Sequence, residues 1–256
     1  MNRPILLIVL VYLILTALIS WPGLKAFGAV SLTGTRLIFD GRFPETSIVV
    51  TNHSAHQTLI QAWLTDARDE EGNPGQTRSD LPFVLTPHLS QLDGHGRQTL
   101  RVLYQGEGMP RDKESLLHLY VLEIPRREQG KNQLSIAVRR RINVFYRPDR
   151  LAGDPAETAS LLRWTLSAHS GLRVENPTAF HAALLDVKLD GVELTDHLLL
   201  APGASQTFAP APGGRRVSFS ALTDYGAPRA YCAHVKAGEP FSARLLNPVP
   251  QPLKEC

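Results

Sequence analysis

The segment that decides the fold reads NQLSIAVRRRINVFYRP and spans residues 132–148. It begins with strict alternation, because Leu134, Ile136 and Val138 alternate with serine, alanine and arginine, and this period of two is typical of a β-strand. Three arginines and an aromatic pair follow, and Pro148 is expected to end the strand. Bare aliphatic side chains on a strand edge invite pairing with another chain. The segment is therefore either an ordinary half-buried strand or a strand that is lent to a partner.

Short apolar runs rich in β-branched residues recur along the chain and are separated by turn residues. They cover residues 48–50, 59–63, 83–85, 100–103, 119–124, 161–166, 172–174, 182–187, 198–200 and 217–222. No amphipathic helix longer than two turns stands out. This pattern predicts an all-β fold of the sandwich type.

The N-terminal residues 1–28 differ from the rest of the chain. Arg3 gives a positive start, residues 5–21 are almost continuously apolar, and a Pro-Gly pair ends the run. Ala26 and Gly28 then suit a signal-peptidase site, so the pattern favours a secretory signal peptide. The alternative is a transmembrane anchor, for which an apolar run of about 18 residues is at the lower limit.

The remaining chain is close to neutral. Loss of residues 1–28 removes Arg3 and Lys25 and no acid, so the formal charge falls from +3 to +1. A general role in nucleic-acid binding therefore has no electrostatic basis.

The mature chain is long enough for two sandwiches in series. We predict one domain over residues 29–148, a polar linker rich in Pro and Gly over 149–158, and a second domain over 159–256. The two cysteines, Cys232 and Cys256, form either one disulfide or two free thiols, and export favours the disulfide.

Enzyme chemistry has little support in the sequence. Several histidines and one serine are close in sequence, namely His53, Ser54, His56, His88 and His95. No GxSxG nucleophile motif is present, no third metal ligand has motif spacing, and no Gly-rich phosphate loop occurs. We therefore predict no catalytic residue, metal or cofactor. Residues 52–54 fit a glycosylation sequon, a match that often arises by chance.

Short motifs follow one another through both predicted domains. They are TRLIF at 35–39, PRDKES at 110–115, EIP at 123–125, FYRP at 145–148, NPT at 176–178 and TDYG at 223–226. Their order and spacing resemble the periplasmic pilus chaperones of the PapD-like family. The resemblance implies two immunoglobulin-like β-sandwich domains arranged at an angle. It further implies a periplasmic chaperone that binds pilin (fimbrial) subunits and delivers them to an outer-membrane usher without ATP. Such a protein is not membrane-anchored once the signal peptide is removed.

The resemblance also assigns a role to the alternating segment. Leu134, Ile136 and Val138 match the donor strand, which completes the open sandwich of a subunit by β-strand addition. The alternative is that these three residues pack inside their own domain. At the level of the whole protein, the alternative function is a secreted β-sandwich adhesin or surface-binding module.

Further roles follow by position in the resemblance. Arg36 matches the arginine that binds the C-terminal carboxylate of the subunit, a task suited to a planar guanidinium. The second anchor of the family is a lysine, but this chain has Asn143 there, and Arg141 is expected on the same strand face as a replacement cation.

A set of interdomain charges is also implied by the resemblance. Glu114, Arg147 and Asp224 match residues that hold the two domains of the family in register. Two acids and one arginine near a domain interface form a plausible network, whose disruption is expected to lower the amount of protein that accumulates.

Overall fold

Two β-sandwiches follow one another in the computed structural model of the protein. The structure describes residues 30–69, 81–126, 136–167, 171–209, 214–235 and 238–246. The predicted signal peptide lies outside these residues. Within the described ranges, no helix is long and apolar enough to cross a membrane. The prediction of an all-β fold with two immunoglobulin-like domains in series is confirmed.

In its described residues, the first domain contains nine strands in two sheets. The strands are β1 (Val30–Leu32), β2 (Arg36–Asp40), β3 (Glu45–Asn52), β4 (Thr58–Asp66), β5 (Phe83–Thr86), β6 (Leu89–Leu92), β7 (Arg97–Tyr104), β8 (Ser115–Pro125) and β9 (Val138–Arg147). One sheet has the order β1-β3-β7-β5, and the other has the order β2-β9-β8-β4-β6. β2 runs parallel to β9, whereas the other pairs in these two sheets are antiparallel.

The second domain is built in the same way. After a 3₁₀ turn (Pro155–Glu157) and the short helix α1 (Thr158–Leu161), its strands are β10 (Arg163–Ser167), β11 (Gly171–Glu175), β12 (Ala182–Leu189), β13 (Val192–Leu200), β14 (Ser205–Phe208), β15 (Arg216–Leu222), β16 (Pro228–His234) and β17 (Arg244–Leu245). The sheet orders are β10-β11-β14 and β13-β12-β15-β16-β17.

Each domain has its own apolar core between its two sheets. Alternating side chains of the facing strands point inward, including Phe39, Val50 and Val144 in the first domain. Trp164 and Phe219 are at the centre of the second core, with ring centroids 5.3 Å apart. Full burial of such side chains contributes about 1.5–3 kcal/mol each, so each core can support its own sandwich.

The strand predicted over residues 161–166 starts too early. Leu161 ends the helix α1, and β10 begins only at Arg163. The helical turn starts at Asp154, whose carboxylate accepts a hydrogen bond from Ala156 N at 2.8 Å, and Pro155 suits the first helical position. The predicted linker therefore has regular structure at its end. The predicted domain boundaries remain a prediction.

A buried asparagine holds the same kind of turn in each domain. Asn52 Nδ2 donates to His56 O at 2.8 Å, and its Oδ1 accepts from Ser54. Asn176 Nδ2 donates to Phe180 O at 2.7 Å, and its Oδ1 accepts from Thr178. Both asparagines are 0% exposed. The sequon at residues 52–54 is therefore a structural motif, because the side chain that a glycan would modify is buried and hydrogen-bonded.

The cysteine prediction falls partly within the described residues. Cys232 is buried on β16 and is disulfide-bonded. Cys256 lies outside the described residues, so the pairing of Cys232 with Cys256 remains a prediction.

Candidate functional site

A cleft of about 330 Å³ lies where the two domains meet. Its walls include Arg36, Ile38, Glu114, Phe145 and Arg147 from the first domain, and Asp154, His181, Asp224, Tyr225, Arg229 and Tyr231 from the linker and second domain. The domains approach closely beside it. Gly226 has a φ of +80°, and a Cβ at this position would lie 2.8 Å from Thr35 Oγ1.

Arg36 places an unpaired guanidinium in this cleft. Its Cζ lies 5.5 Å from the centroid of the Phe145 ring. Among the described residues, no carboxylate lies within ion-pair distance and no side-chain hydrogen bond engages it. Burial lowers the pKa of Arg36, while the charges of Asp224 and Glu114 oppose this shift. An arginine remains protonated in such surroundings, so Arg36 offers a partly desolvated fork of N–H donors to an anion.

The parallel pairing of β2 with β9 brings the predicted anchor residues together. Arg36 is directly opposite Asn143, and Asn143 is opposite His118 on the other side. The amide side chain of Asn143 is partly buried and makes no hydrogen bond within the described part of the chain. Arg141 is exposed, pairs with Tyr120 across the sheet and does not border the cleft.

One edge of β9 is open over half its length. Residues 138–142 pair with β8, but β2 begins opposite Asn143, and no other described strand pairs with that stretch. Exposure rises along one face of the segment. Ile142 in the core is 7% exposed, Val138 is partly buried and Ile136 is 62% exposed. Leu134 lies outside the described residues.

A charged cluster joins the two domains at the base of the cleft. Arg147 Nε and Nη2 donate to Glu114 Oε1 at 3.1 and 2.8 Å. The same guanidinium donates to both carboxylate oxygens of Asp224, at 2.9 and 3.1 Å. Its Cζ also lies 5.1 Å from the ring centroid of Phe180. The structure thus brings all three predicted residues into contact across the interface.

His181 is a fourth member that the sequence did not indicate. Its backbone N donates to Glu114 Oε2 at 2.8 Å, and its Nδ1 lies 2.9 Å from the same oxygen. Its ring packs against Phe145 at 5.3 Å between centroids. The residue follows the NPT motif in sequence, but nothing local indicates a contact with a glutamate 67 residues away.

The outer face of the β9 sheet carries further basic and aromatic side chains. Arg139 Cζ lies 5.2 Å over the Tyr120 ring, and that ring stacks on Trp63 at 5.4 Å. His118 is buried beside Tyr120, and its Nδ1 has no hydrogen-bond partner among the described residues. Burial lowers the pKa of His118, the charge of Arg141 lowers it further, and Asp66 opposes both.

Family models match most of the chain. Residues 29–152 match the model of the pili and flagellar-assembly chaperone, PapD N-terminal domain. Residues 157–233 match the model of the pili assembly chaperone PapD, C-terminal domain.

Individual proteins agree with the family models. The chaperone protein FimB/FhaD of Bordetella pertussis is 32% identical over 221 residues, which is 82% of this chain and 89% of that protein. The probable fimbrial chaperone LpfB of Escherichia coli O157:H7 is 34% identical over 206 residues, covering 78% of this chain and 85% of that protein. The crystal structure of the Pseudomonas aeruginosa CupB2 chaperone superposes with a TM-score of 0.69 at 27% identity, covering 80% of this chain and all of that one. The chain belongs to the PapD family of pilus-assembly chaperones.

Proposed function

We propose that this protein is a periplasmic chaperone that binds pilin subunits by donating part of β9 to their incomplete sandwich. It prevents premature polymerisation of the subunits and delivers them to an outer-membrane usher. The observation that carries this proposal is the open edge of β9 at residues 138–142, which continues toward the exposed side chain of Ile136.

An open strand edge supplies the two components of β-strand addition, namely backbone hydrogen-bonding groups and alternating side chains. The unpaired backbone N–H and C=O groups supply affinity for a partner strand, while alternate side chains supply specificity. Leu134, Ile136 and Val138 fill the groove of the subunit. Support for this role comes from the exposure of Ile136, because the core of the chaperone domain does not bury it.

The C-terminal carboxylate of the subunit binds in the cleft, with Arg36 as its anchor. A guanidinium pairs with two carboxylate oxygens in one planar geometry, and Arg36 is partly desolvated and has no acidic partner among the described residues. The anchor also sets the register of the partner strand. Asn143, beside Arg36, is five residues from Val138, or about 17 Å along an extended strand. A slip of one residue would turn the wrong side chains toward the groove.

The cluster of Glu114, Arg147 and Asp224 holds the two walls of the cleft in a fixed relative position. It connects the end of β9 and the start of β8 to the second domain by charge-assisted hydrogen bonds. A fixed cleft binds an anion without a further ordering step, which favours affinity.

The proposed protein acts in the periplasm and has pilin subunits and an outer-membrane usher as partners. The signal peptide at residues 1–28 exports the chain to the periplasm, where the mature protein is not membrane-anchored. Delivery to the usher needs no ATP, because the subunit completes its folding when the strand of a neighbouring subunit replaces the chaperone strand. The similar proteins are named as chaperones, which favours this function over an adhesin or an enzyme.

The test is a pull-down from the periplasm of the native host with tagged wild-type protein. Arg36→Ala and Arg101→Ala are compared with it by mass spectrometry. Arg101 is a matched control, because it is an exposed arginine that pairs with Glu45 away from the cleft. We expect pilin-like subunits with the wild type and with Arg101→Ala, and a strong reduction with Arg36→Ala. Absence of pilin-like subunits from the wild-type sample would overturn the proposal.

A further inference from the structure

On the first-domain wall of the cleft, Arg36 is the one cation among the described residues that has no acidic partner. Asn143 occupies the position where the resemblance leads one to expect a lysine, and an amide brings a hydrogen-bond donor but no charge. Arg141, the candidate on the same strand, does not border the cleft. A cation that replaces the lysine must therefore come from the wall formed by the second domain.

Arg229 is an exposed cation on that wall. It lies on β16 opposite Ala221 of β15, and both residues border the cleft. Within the described residues, its guanidinium is engaged by no carboxylate and no hydrogen-bond partner. Tyr231, on the same strand face, also borders the cleft. Burial raises the pKa of Tyr231 and the charge of Arg229 opposes the shift, so the field of Arg229 extends along this wall.

The charge balance of the cleft indicates a function for Arg229. The acids at its border are Glu114, Asp154 and Asp224, and the cations are Arg36, Arg147 and Arg229. Arg147 is already engaged by two of the acids. Without Arg229 the cleft would carry a net negative charge before any anion entered, and a carboxylate would be repelled. With Arg229 it is neutral and presents two unpaired guanidinium groups, one from each domain.

We propose that the C-terminal carboxylate of the subunit is bound between Arg36 of the first domain and Arg229 of the second, with Arg229 supplying the charge that Asn143 lacks. This inference rests on the proposed function. It makes the second domain a direct part of the anchor, so the carboxylate bridges the two domains.

The test uses the mature full-length chain and the pilin captured by the wild-type protein in the pull-down. A synthetic peptide with the C-terminal sequence of that pilin is prepared with a free carboxylate and with a C-terminal amide, and binding is measured by calorimetry. We expect Arg229→Gln to weaken the free-acid peptide by about tenfold or more, as for a lost charge-assisted hydrogen bond. The amide peptide should bind wild type and Arg229→Gln alike. The double variant Arg229→Gln/Asn143→Lys should regain the affinity for the free acid.

Arg244→Gln is the matched control, because Arg244 is an exposed arginine of the same domain that does not border the cleft. Equal binding of both peptides by Arg229→Gln and the wild type would overturn the inference. An acid-specific loss in Arg141→Gln with none in Arg229→Gln would overturn it as well and assign the charge to Arg141. Either result leaves the proposed function intact, whereas failure of the wild type to capture any pilin contradicts the proposed function itself.

Discussion

Arg147 Nη1 donates a hydrogen bond to Asp224 Oδ2 at 2.9 Å, which links the end of the last strand of the first domain to a turn of the second. The two acids that share this arginine differ in environment. The side chain of Glu114 is 2% exposed, whereas that of Asp224 is 36% exposed. The same guanidinium therefore makes one buried ion pair, with Glu114, and one partly solvent-exposed ion pair, with Asp224.

We expect the two acids to contribute unequally to stability. Glu114→Ala removes the buried partner of Arg147 and the acceptor for His181, and should lower the free energy of unfolding by about 3–5 kcal/mol. Asp224→Ala acts on a solvent-screened pair and should cost about 0–1 kcal/mol. Urea unfolding of the purified variants measures both. Glu45→Ala, which breaks an exposed pair with Arg101, is the control and should change little. Equal losses for Glu114→Ala and Asp224→Ala would contradict this ranking.

Two isoleucines on one face of the same segment should separate stability from binding. Ile142→Ala creates a cavity in the core and should destabilise the protein by about 2–5 kcal/mol. Ile136→Ala changes a side chain that is mostly in solvent, so its free energy of unfolding should stay within about 0.5 kcal/mol of the wild-type value. Subunit capture should nevertheless fall with Ile136→Ala. A large loss of stability in this variant would mean that Ile136 packs within its own domain.

The buried asparagines should matter equally in the two domains. Asn52→Ala and Asn176→Ala each leave buried backbone groups without partners, and each such group costs about 1–3 kcal/mol. We expect each variant to lose more than about 2 kcal/mol by chemical denaturation. Near-wild-type stability of either variant would be inconsistent with the buried turn.

The buried His118 should make the protein less stable in mild acid. Because the folded pKa is lowered, the unfolded chain binds the proton more readily. Stability therefore falls as the pH drops below about 6.5, the ordinary value for histidine, until the folded pKa is reached. We expect the urea midpoint to decrease less between pH 7.5 and pH 5 in His118→Gln than in the wild type. His197→Gln, a substitution at an exposed histidine of the second domain, is the control, and its urea midpoint should follow that of the wild type across this pH range. Identical pH profiles for wild type and His118→Gln would refute the effect.

Strands could be predicted from the sequence where apolar and polar residues alternate, because this alternation indicates that one face of the strand is buried. The segment of Leu134, Ile136 and Val138 shows the limit of this signal, since β9 begins only at Val138. Alternation marks which side chains share a face, whereas a strand also needs a paired neighbour, and the pairing described for β9 reaches only to that residue. Helix α1 differs, because signals of a helical start are present in the sequence just before it. Asp154 and Pro155 are helix-start signals, but they cap and begin the 3₁₀ turn that precedes α1, and the apolar run after them suits a strand equally well.

The candidate site was predictable only through the resemblance. The opposition of Arg36 and Asn143 depends on parallel pairing between segments that are far apart in sequence, and no local pattern encodes that register. His181 and Arg229 reach the cleft only because the second domain packs where it does. Their sequence neighbourhoods carry no sign of a shared anion site, so a structure was needed to find them.

The open edge of β9 also bears on how the protein behaves at high concentration. A free strand is where two copies of a chain tend to meet, and charged residues at such an edge disfavour that contact. Arg139 and Arg141 are exposed along it. If two copies paired through this edge, the arginines of one would approach those of the other, and like charges on adjacent strands repel. The same residues that flank the edge thus deter self-association while leaving it open to a neutral or acidic strand.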